Sequence, residues 1–318
     1  MSRNVYPEAE GVPRLLALNQ HGAAYNIDSA DGRSAIYWRQ FSTGRVQRIT
    51  ELGWQTQQIV VDDTWLAWVE QSQEQSDDLE PVSWRIKATR LGTGDVRTLF
   101  ASKTKTRLAP GIGIWNDTLF HSQYNGIRRG TTNIHALDLR TSADTVIAED
   151  VAADVGVYDG HNMISGMTTH RGSVPGQTRS DLFIVNHDPP TRLTTSGNVE
   201  GMALSNHVAL WQECSATTST CGIFTKPWPD GKTTLDLQAD DPRPSLGDGF
   251  FTILQPSGGY YEQVVVPLRD PAKRFTLKEP AHQHLAFNPA VQDHTVAWFT
   301  SAGDDLAGPF HLVVARIE

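Results

Sequence analysis

One pattern recurs seven times along the 318 residues and limits the folds open to this chain. Each copy is a short apolar run, a tight turn rich in Asp, Asn, Gly and His, and a second apolar run. The copies are Leu15–Tyr25, Ile59–Val69, Gly113–His121, Gly156–Ile164, Met202–Trp211, Ser245–Leu254 and Ala290–Trp298. Their turns centre on His21, Asp63, Asp117, Gly160, Asn206, Asp248 and Asp293, at spacings of 42, 54, 43, 46, 42 and 45 residues. The long interval contains the polar stretch Gln71–Pro81, which reads as a loop insertion. Regular self-similarity at this period marks a repeat architecture.

Each hairpin is followed by a third strand-like run, for example Ala35–Trp38, Trp84–Ala88, Asn133–Leu137 and His311–Ala315. A Gly-, Pro- or Asp-bearing turn then leads to a fourth, as at Ser42–Arg45, Gly92–Asp95 and Pro229–Gly231. Those residue types supply the backbone angles that tight turns need. No segment sustains a helical period, so helices should be scarce. Four short strands in each unit of about 43 residues is the spacing of a propeller blade. The sequence therefore predicts an all-β fold: one domain over residues 1–318, a seven-bladed β-propeller of four-stranded antiparallel blades. Blade starts fall near residues 14, 56, 110, 153, 199, 243 and 287. The seventh unit runs out after its third strand at Arg316-Ile317-Glu318. Residues 3–9 are the spare segment, and are expected to close the ring as the outer strand of the last blade, covering an otherwise open edge.

The third-strand, glycine-turn, fourth-strand segments Trp84–Leu99 and Asn133–Ile147 resemble the blades of TolB-like, WD40-like bacterial propellers. The Gly-His and Trp-Asp dipeptides of true WD40 repeats and the paired glycines of kelch repeats do not recur from blade to blade. The resemblance covers nearly the whole chain at the level of architecture. It implies a superfamily of binding proteins, partner platforms and enzymes, so chemistry must be sought in particular residues.

Acidic residues number 36 against 27 basic ones, for a net charge of −9, which makes nucleic acid and anionic membrane poor partners. No apolar run approaches the roughly 18 residues of a membrane span, so no membrane insertion is expected. Met1-Ser2-Arg3-Asn4 opens into polar sequence with no signal-peptide core. The only cysteines, Cys214 and Cys221, flank six small polar residues at the mouth of an expected hairpin. A disulfide there points to an oxidising compartment, hence to an exported protein (secreted, periplasmic or cell-surface) whose signal peptide is absent from this chain.

In a blade of strands a to d, the a–b and c–d turns lie at one end and the b–c and d–a connections at the other. Ligand sites are expected at the second end. His21, His161, His207, His294 and His187 fall on turns of the first end, while His121, His135 and His311 lie within strands and read as core histidines. The second end gathers Tyr124, Arg128 and Arg129 in one loop, His170, Arg171 and Arg179 in the next, Tyr260 and Tyr261 in a third, and Trp54 in a d–a connection. Arginine forks suit carboxylates, sulfates and phosphates, and flat aromatic faces suit sugars or peptides. His282 and His284 share one side of an extended segment. With His170 they form a candidate site for a divalent metal such as Zn or Mn.

The leading expectation is a monomeric, exported binding protein that recognises an acidic glycan or a protein partner on the b–c and d–a end, with no cofactor. The alternatives are a metal-dependent polysaccharide lyase or hydrolase built on His282, His284 and His170, or a scaffold in a cell-envelope assembly. No nucleophile elbow, zinc-protease motif, phosphate loop or dinucleotide fingerprint occurs.

Overall fold

The structure is a computed structural model that describes residues 2–7, 11–72, 83–102, 109–124, 132–151, 155–157, 164–171, 178–184, 191–205, 208–214, 220–227, 231–240, 244–257, 260–277, 284–285, 289–301 and 309–317. Apart from one 3-10 turn at Pro271–Lys273, the regular structure among these residues is all strand.

Strand β1 (Ser2–Pro7) precedes the repeats. The first four-stranded sheet contains β2 (Val12–Asn19), β3 (Gly22–Asp28), β4 (Ser34–Gln40) and β5 (Val46–Arg48). The second contains β6 (Gln55–Val61), β7 (Trp65–Gln71), β8 (Trp84–Arg90) and β9 (Val96–Ala101). The third contains β10 (Ile112–Trp115), β11 (Thr118–Tyr124), β12 (Thr132–Asp138) and β13 (Asp144–Val151). The fourth contains β14 (Val155–Val157), β15 (Ile164–Arg171), β16 (Thr178–Ile184) and β17 (Thr191–Arg192). The fifth contains β18 (Val199–Leu204), β19 (Val208–Cys214), β20 (Thr220–Pro227) and β21 (Thr234–Asp240). The sixth contains β22 (Ser245–Leu246), β23 (Phe250–Ser257), β24 (Tyr260–Pro267) and β25 (Phe275–Leu277). In each, sequence order is spatial order.

The remaining strands are β26 (His284–Leu285), β27 (Ala290–Gln292), β28 (Thr295–Ser301) and β29 (Phe310–Arg316). They join β1 in a five-stranded sheet of order β1-β29-β28-β26, with β27 also paired to β28. This corrects the expectation of seven equivalent four-stranded blades: the structure has six regular four-stranded blades, not seven, and this sheet departs from the pattern. β26 and β27 both pair with β28, and Pro289 stands immediately before β27. Proline has no N–H to give to a ladder and restricts the residue before it. On the outer side, β1 runs antiparallel to β29 from Ser2 opposite Arg316 to Pro7 opposite His311.

The chain divides into two compact units, one of residues 1–109, 257–263 and 276–318, the other of residues 110–256 and 264–275. In the first, Tyr25, Leu18, Phe299 and Leu312 share one buried cluster, and Ile36, Trp38, Ile59, Leu66 and Trp68 share another. In the second, Leu182, Val199 and Trp211 pack together, as do Leu210, Ile223, Phe251, Ile253 and Val264. Among the described residues, second strands bring the large side chains Tyr25, Trp68, Trp211 and Phe251 into these clusters. Tyr25, Trp68, Trp211 and Trp298 each stand fourth in their strand, and all are buried.

Side-chain oxygens fix the turns that set this register. Asn19 accepts from the N–H groups of His21 and Gly22, Asp62 from those of Thr64 and Trp65, and Asp138 from those of Arg140 and Thr141. These are Asx turns, the local bonds that favour Asn and Asp at such corners. Asn116 and Asp117 both take positive φ, 46° and 65°, and close the β10–β11 hairpin in two residues. A second device repeats after the fourth strand. The hydroxyls of Thr50, Ser102 and Thr194 accept from the third-strand N–H groups of Ile36, Trp84 and Leu182. Each bond ties the path leaving one sheet to that sheet's interior.

Candidate functional site

The second sheet builds a polar assembly at the end that bears its b–c loop. Trp54 lies just before β6, and Arg85 is the second residue of β8. The Arg85 guanidinium sits 4.0 Å over the Trp54 ring, a cation–π contact. Glu70, near the end of β7, faces Arg85 directly across the ladder. Its side chain is 5% exposed. It accepts from Arg85 Nε at 2.7 Å, pairs with Lys87 Nζ at 3.2 Å, and accepts from Trp68 Nε1 at 2.8 Å. One buried carboxylate thus anchors the fork of an arginine whose flat face covers a half-buried indole.

The fifth sheet repeats part of this arrangement. Trp211 Nε1 donates to Glu213 at 2.9 Å, matching the Trp68–Glu70 bond two positions along the same strand. Glu213 is followed by Cys214, which lies opposite Cys221 across the β19–β20 ladder and is joined to it by a disulfide. The bond closes the mouth of the b–c loop, where the sequence placed it.

In the third sheet, His121 of β11 and His135 of β12 stand directly opposite each other, their rings stacked at 4.9 Å and 20°. Asp144, the first residue of β13, reaches both: Oδ2 lies 2.9 Å from His135 Nδ1 and Oδ1 lies 3.5 Å from His121 Nε2. The neighbouring His121 imidazole, with help from His135, holds the Asp144 carboxyl below its ordinary value despite its partial burial. In the fourth sheet, burial pushes Asp181 upward, but bonds from Gly197 N–H, Arg192 and Thr194 outweigh it and leave a net lowering. Asp181 is buried and joins β16 to the connection that enters the fifth sheet.

Of the residues expected to form the site, Trp54 is in place and engaged by Arg85. Arg128, Arg129 and His282 lie outside the described residues. Tyr124, His170, Arg171, Arg179, Tyr260, Tyr261 and His284 are placed by backbone alone, and their side chains lie outside the described residues. His170 falls opposite Arg179, and Arg171 opposite Thr178, at the b–c end of the β15–β16 ladder. His284 falls opposite Ser301. Sequence reasoning missed Glu70, Arg85 and Lys87, and set His121 and His135 aside as core residues. The hairpin register was the available signal, because it puts Glu70 against Arg85 and His121 against His135.

No protein-family model matches the chain, and no curated protein matches it. Solved structures do. The β-propeller domain of the Trilobed protease from Pyrococcus furiosus superposes with a TM-score of 0.66 at 11% identity, over 92% of each chain. An acylaminoacyl peptidase from Pyrococcus horikoshii gives 0.62 at 10% identity, over 91% of this chain and 50% of that one. A puromycin-hydrolyzing peptidase from Mycobacterium tuberculosis gives 0.62 at 12%, over 93% of this chain and 51% of that one. This chain thus spans about half the length of the two peptidases. At such identities the likeness speaks to architecture alone: the chain is an all-β β-propeller with four-stranded antiparallel blades.

Proposed function

We propose that this protein is an extracytoplasmic β-propeller that binds a polypeptide segment at the b–c end of its blades, with Trp54 and Arg85 as anchors. The carrying observation is the Trp54–Arg85–Glu70 assembly. Glu70 holds the guanidinium in a fixed plane, and the indole beneath it is half-buried. Tryptophan and arginine are the residues most enriched among strong binding contacts, and their cost of ordering is low when they are already held. An indole face with an adjacent cation suits an extended peptide, whose carbonyls and acidic side chains accept from arginine. The Cys214–Cys221 disulfide supports a location outside the reducing cytoplasm. Among the described residues no helix is long and apolar enough to cross a membrane. The propeller neighbours from a protease and two peptidases are consistent with a polypeptide ligand.

The test is an immobilised random-peptide library, run beside polyuronate oligosaccharides, against the full chain and its Trp54→Ala and Arg85→Gln variants. The expected result is saturable peptide binding that weakens at least tenfold in Trp54→Ala, about 1.4 kcal/mol or more. Absence of peptide binding, binding by both variants as tight as by the parent chain, or selective retention of the polyuronate overturns the reading.

A further inference from the structure

At one register position the third sheet departs from four of the other six, the remaining two carrying Met167 and Ile253 there. The fourth residue of the second strand is Tyr25, Trp68, Trp211 and Trp298 in four other sheets, each a large buried side chain. Its cross-strand partners there are Tyr37, Lys87, Phe224 and Val313. In the third sheet the same pair is His121 and His135. Here both positions hold imidazoles, and the adjoining strand presents a carboxylate to both.

We propose that His121, His135 and Asp144 form a binding site for a divalent cation of the zinc class. His121 Nε2, His135 Nδ1 and an Asp144 oxygen are the ligand atoms, and ligand atoms of the three residues all lie within 4.8 Å of one another. Zinc holds nitrogen and oxygen ligands at about 2.0–2.2 Å in a tetrahedron, which separates neighbouring ligand atoms by about 3.3 Å. Asp144 Oδ2 lies 2.9 Å from His135 Nδ1 and its Oδ1 lies 3.5 Å from His121 Nε2, so each ring nitrogen already has a carboxylate oxygen at close to that separation. The stacked rings are nearly parallel, so their edges present nitrogens to the same carboxylate. A register shift between Ile134 and His135 in the β12–β13 ladder sets His135 against Val146 and brings its ring within reach of Asp144. Two neutral imidazoles and one carboxylate leave one positive charge on a bound dication, and they are the donor types that zinc takes. Access is graded: the His121 side chain is fully buried, that of His135 is 12% exposed and that of Asp144 is 29% exposed. A cation enters from the Asp144 side and keeps a water on its fourth position there. The three residues sit on adjacent strands of one sheet, so the ion would clip β11, β12 and β13 together.

The experiment uses the full chain, stripped with a chelator and dialysed. Titration with ZnCl2 by calorimetry, and with CoCl2 by visible absorption, should show one saturable equivalent and the intensified visible bands of a low-coordinate cobalt ion. Asp144→Asn and His135→Gln should each weaken zinc at least tenfold, with circular dichroism confirming that the metal-free variants fold. Asp144 is the more exposed position, so Asp144→Asn carries the test alone if His135→Gln does not fold. Failure of zinc to bind saturably, equal binding by Asp144→Asn, or loss of the equivalent in a His282→Ala, His284→Ala double variant overturns the assignment. Peptide binding at Trp54 is a separate measurement and stands or falls independently.

Discussion

Glu70 offers the sharpest single perturbation of this fold. Its carboxylate is buried, and three groups depend on it: the Trp68 indole N–H, the Arg85 fork and the Lys87 ammonium. Glu70→Ala removes all three partners at once. Trp68 is fully buried, so its N–H loses its bond with no solvent to replace it. An orphaned buried donor costs about 1–3 kcal/mol. Arg85 and Lys87 remain 28% and 18% exposed, so water screens part of their loss. Breaking a buried ion pair by deleting one partner typically costs about 3–5 kcal/mol, which already includes such orphaned groups. The expected destabilisation is therefore about 3–5 kcal/mol. For cooperative unfolding of a chain this long the melting entropy is about 0.7 kcal/mol/K, so the midpoint should fall by about 4–7 °C. Glu70→Gln keeps one carbonyl acceptor and should lose only about 1–2 kcal/mol. Urea unfolding followed by tryptophan fluorescence measures both variants, with unchanged slope confirming that stability alone has moved. A Glu70→Ala loss below about 1 kcal/mol, or equal losses in the two variants, would refute the view that one buried carboxylate organises this corner.

Two further outcomes follow from the same structure. Replacing Cys214 and Cys221 with serine should cost about 2–3 kcal/mol in urea unfolding, the value for so short a loop, and thiol titration of the denatured, unreduced protein should find no free thiol, whereas two would remove the disulfide. Asp144 and Asp181 are both held below the ordinary value of 3.8, so around that pH the unfolded chain binds more protons than the folded one. Their contribution is complete above pH 3.8 and is lost as pH falls through the lowered folded values. Stability should drop steeply below pH 3.8 in the parent and less steeply in Asp181→Asn, and parallel pH profiles would show that Asp181 is not a source of the acid sensitivity.

The sheet pattern was legible because each hairpin carries two independent signals, alternating burial and a turn residue that can only be accommodated at a corner. Asp117 and Asp293 at positive φ show how local that second signal is. The strands beginning at 55, 112, 155, 199 and 245 lie within two residues of the expected blade starts. The last repeat differs from the expectation because its start was set near residue 287, whereas His284–Leu285 pairs with β28 ahead of Pro289 and Ala290–Gln292 pairs with it after. A proline at that place reads as a turn in a loop and as a break in a ladder with equal ease, and only the pairing of β26 and β27 to the same strand tells the two apart.

The chemistry was harder to read because side chains gain meaning from register, not from residue type. Arg85 reads alone as a solvated surface arginine, and Glu70 as a polar residue near a strand end. Opposed across a ladder, they make a buried pair and hold a cation over Trp54. The same logic separates the histidines. His21 stands in an exposed turn near Asp63, with both side chains more than half exposed, and there solvent competes with any ligand. His121 stands where four other sheets put tryptophan or tyrosine, and its partner across the ladder is another imidazole. Aligning the repeats on their turn residues, rather than counting histidines per loop, is the step that exposes that substitution. A fold of repeated sheets supplies its own comparison set, and a position at which one copy departs from most of the others is where its function should first be sought.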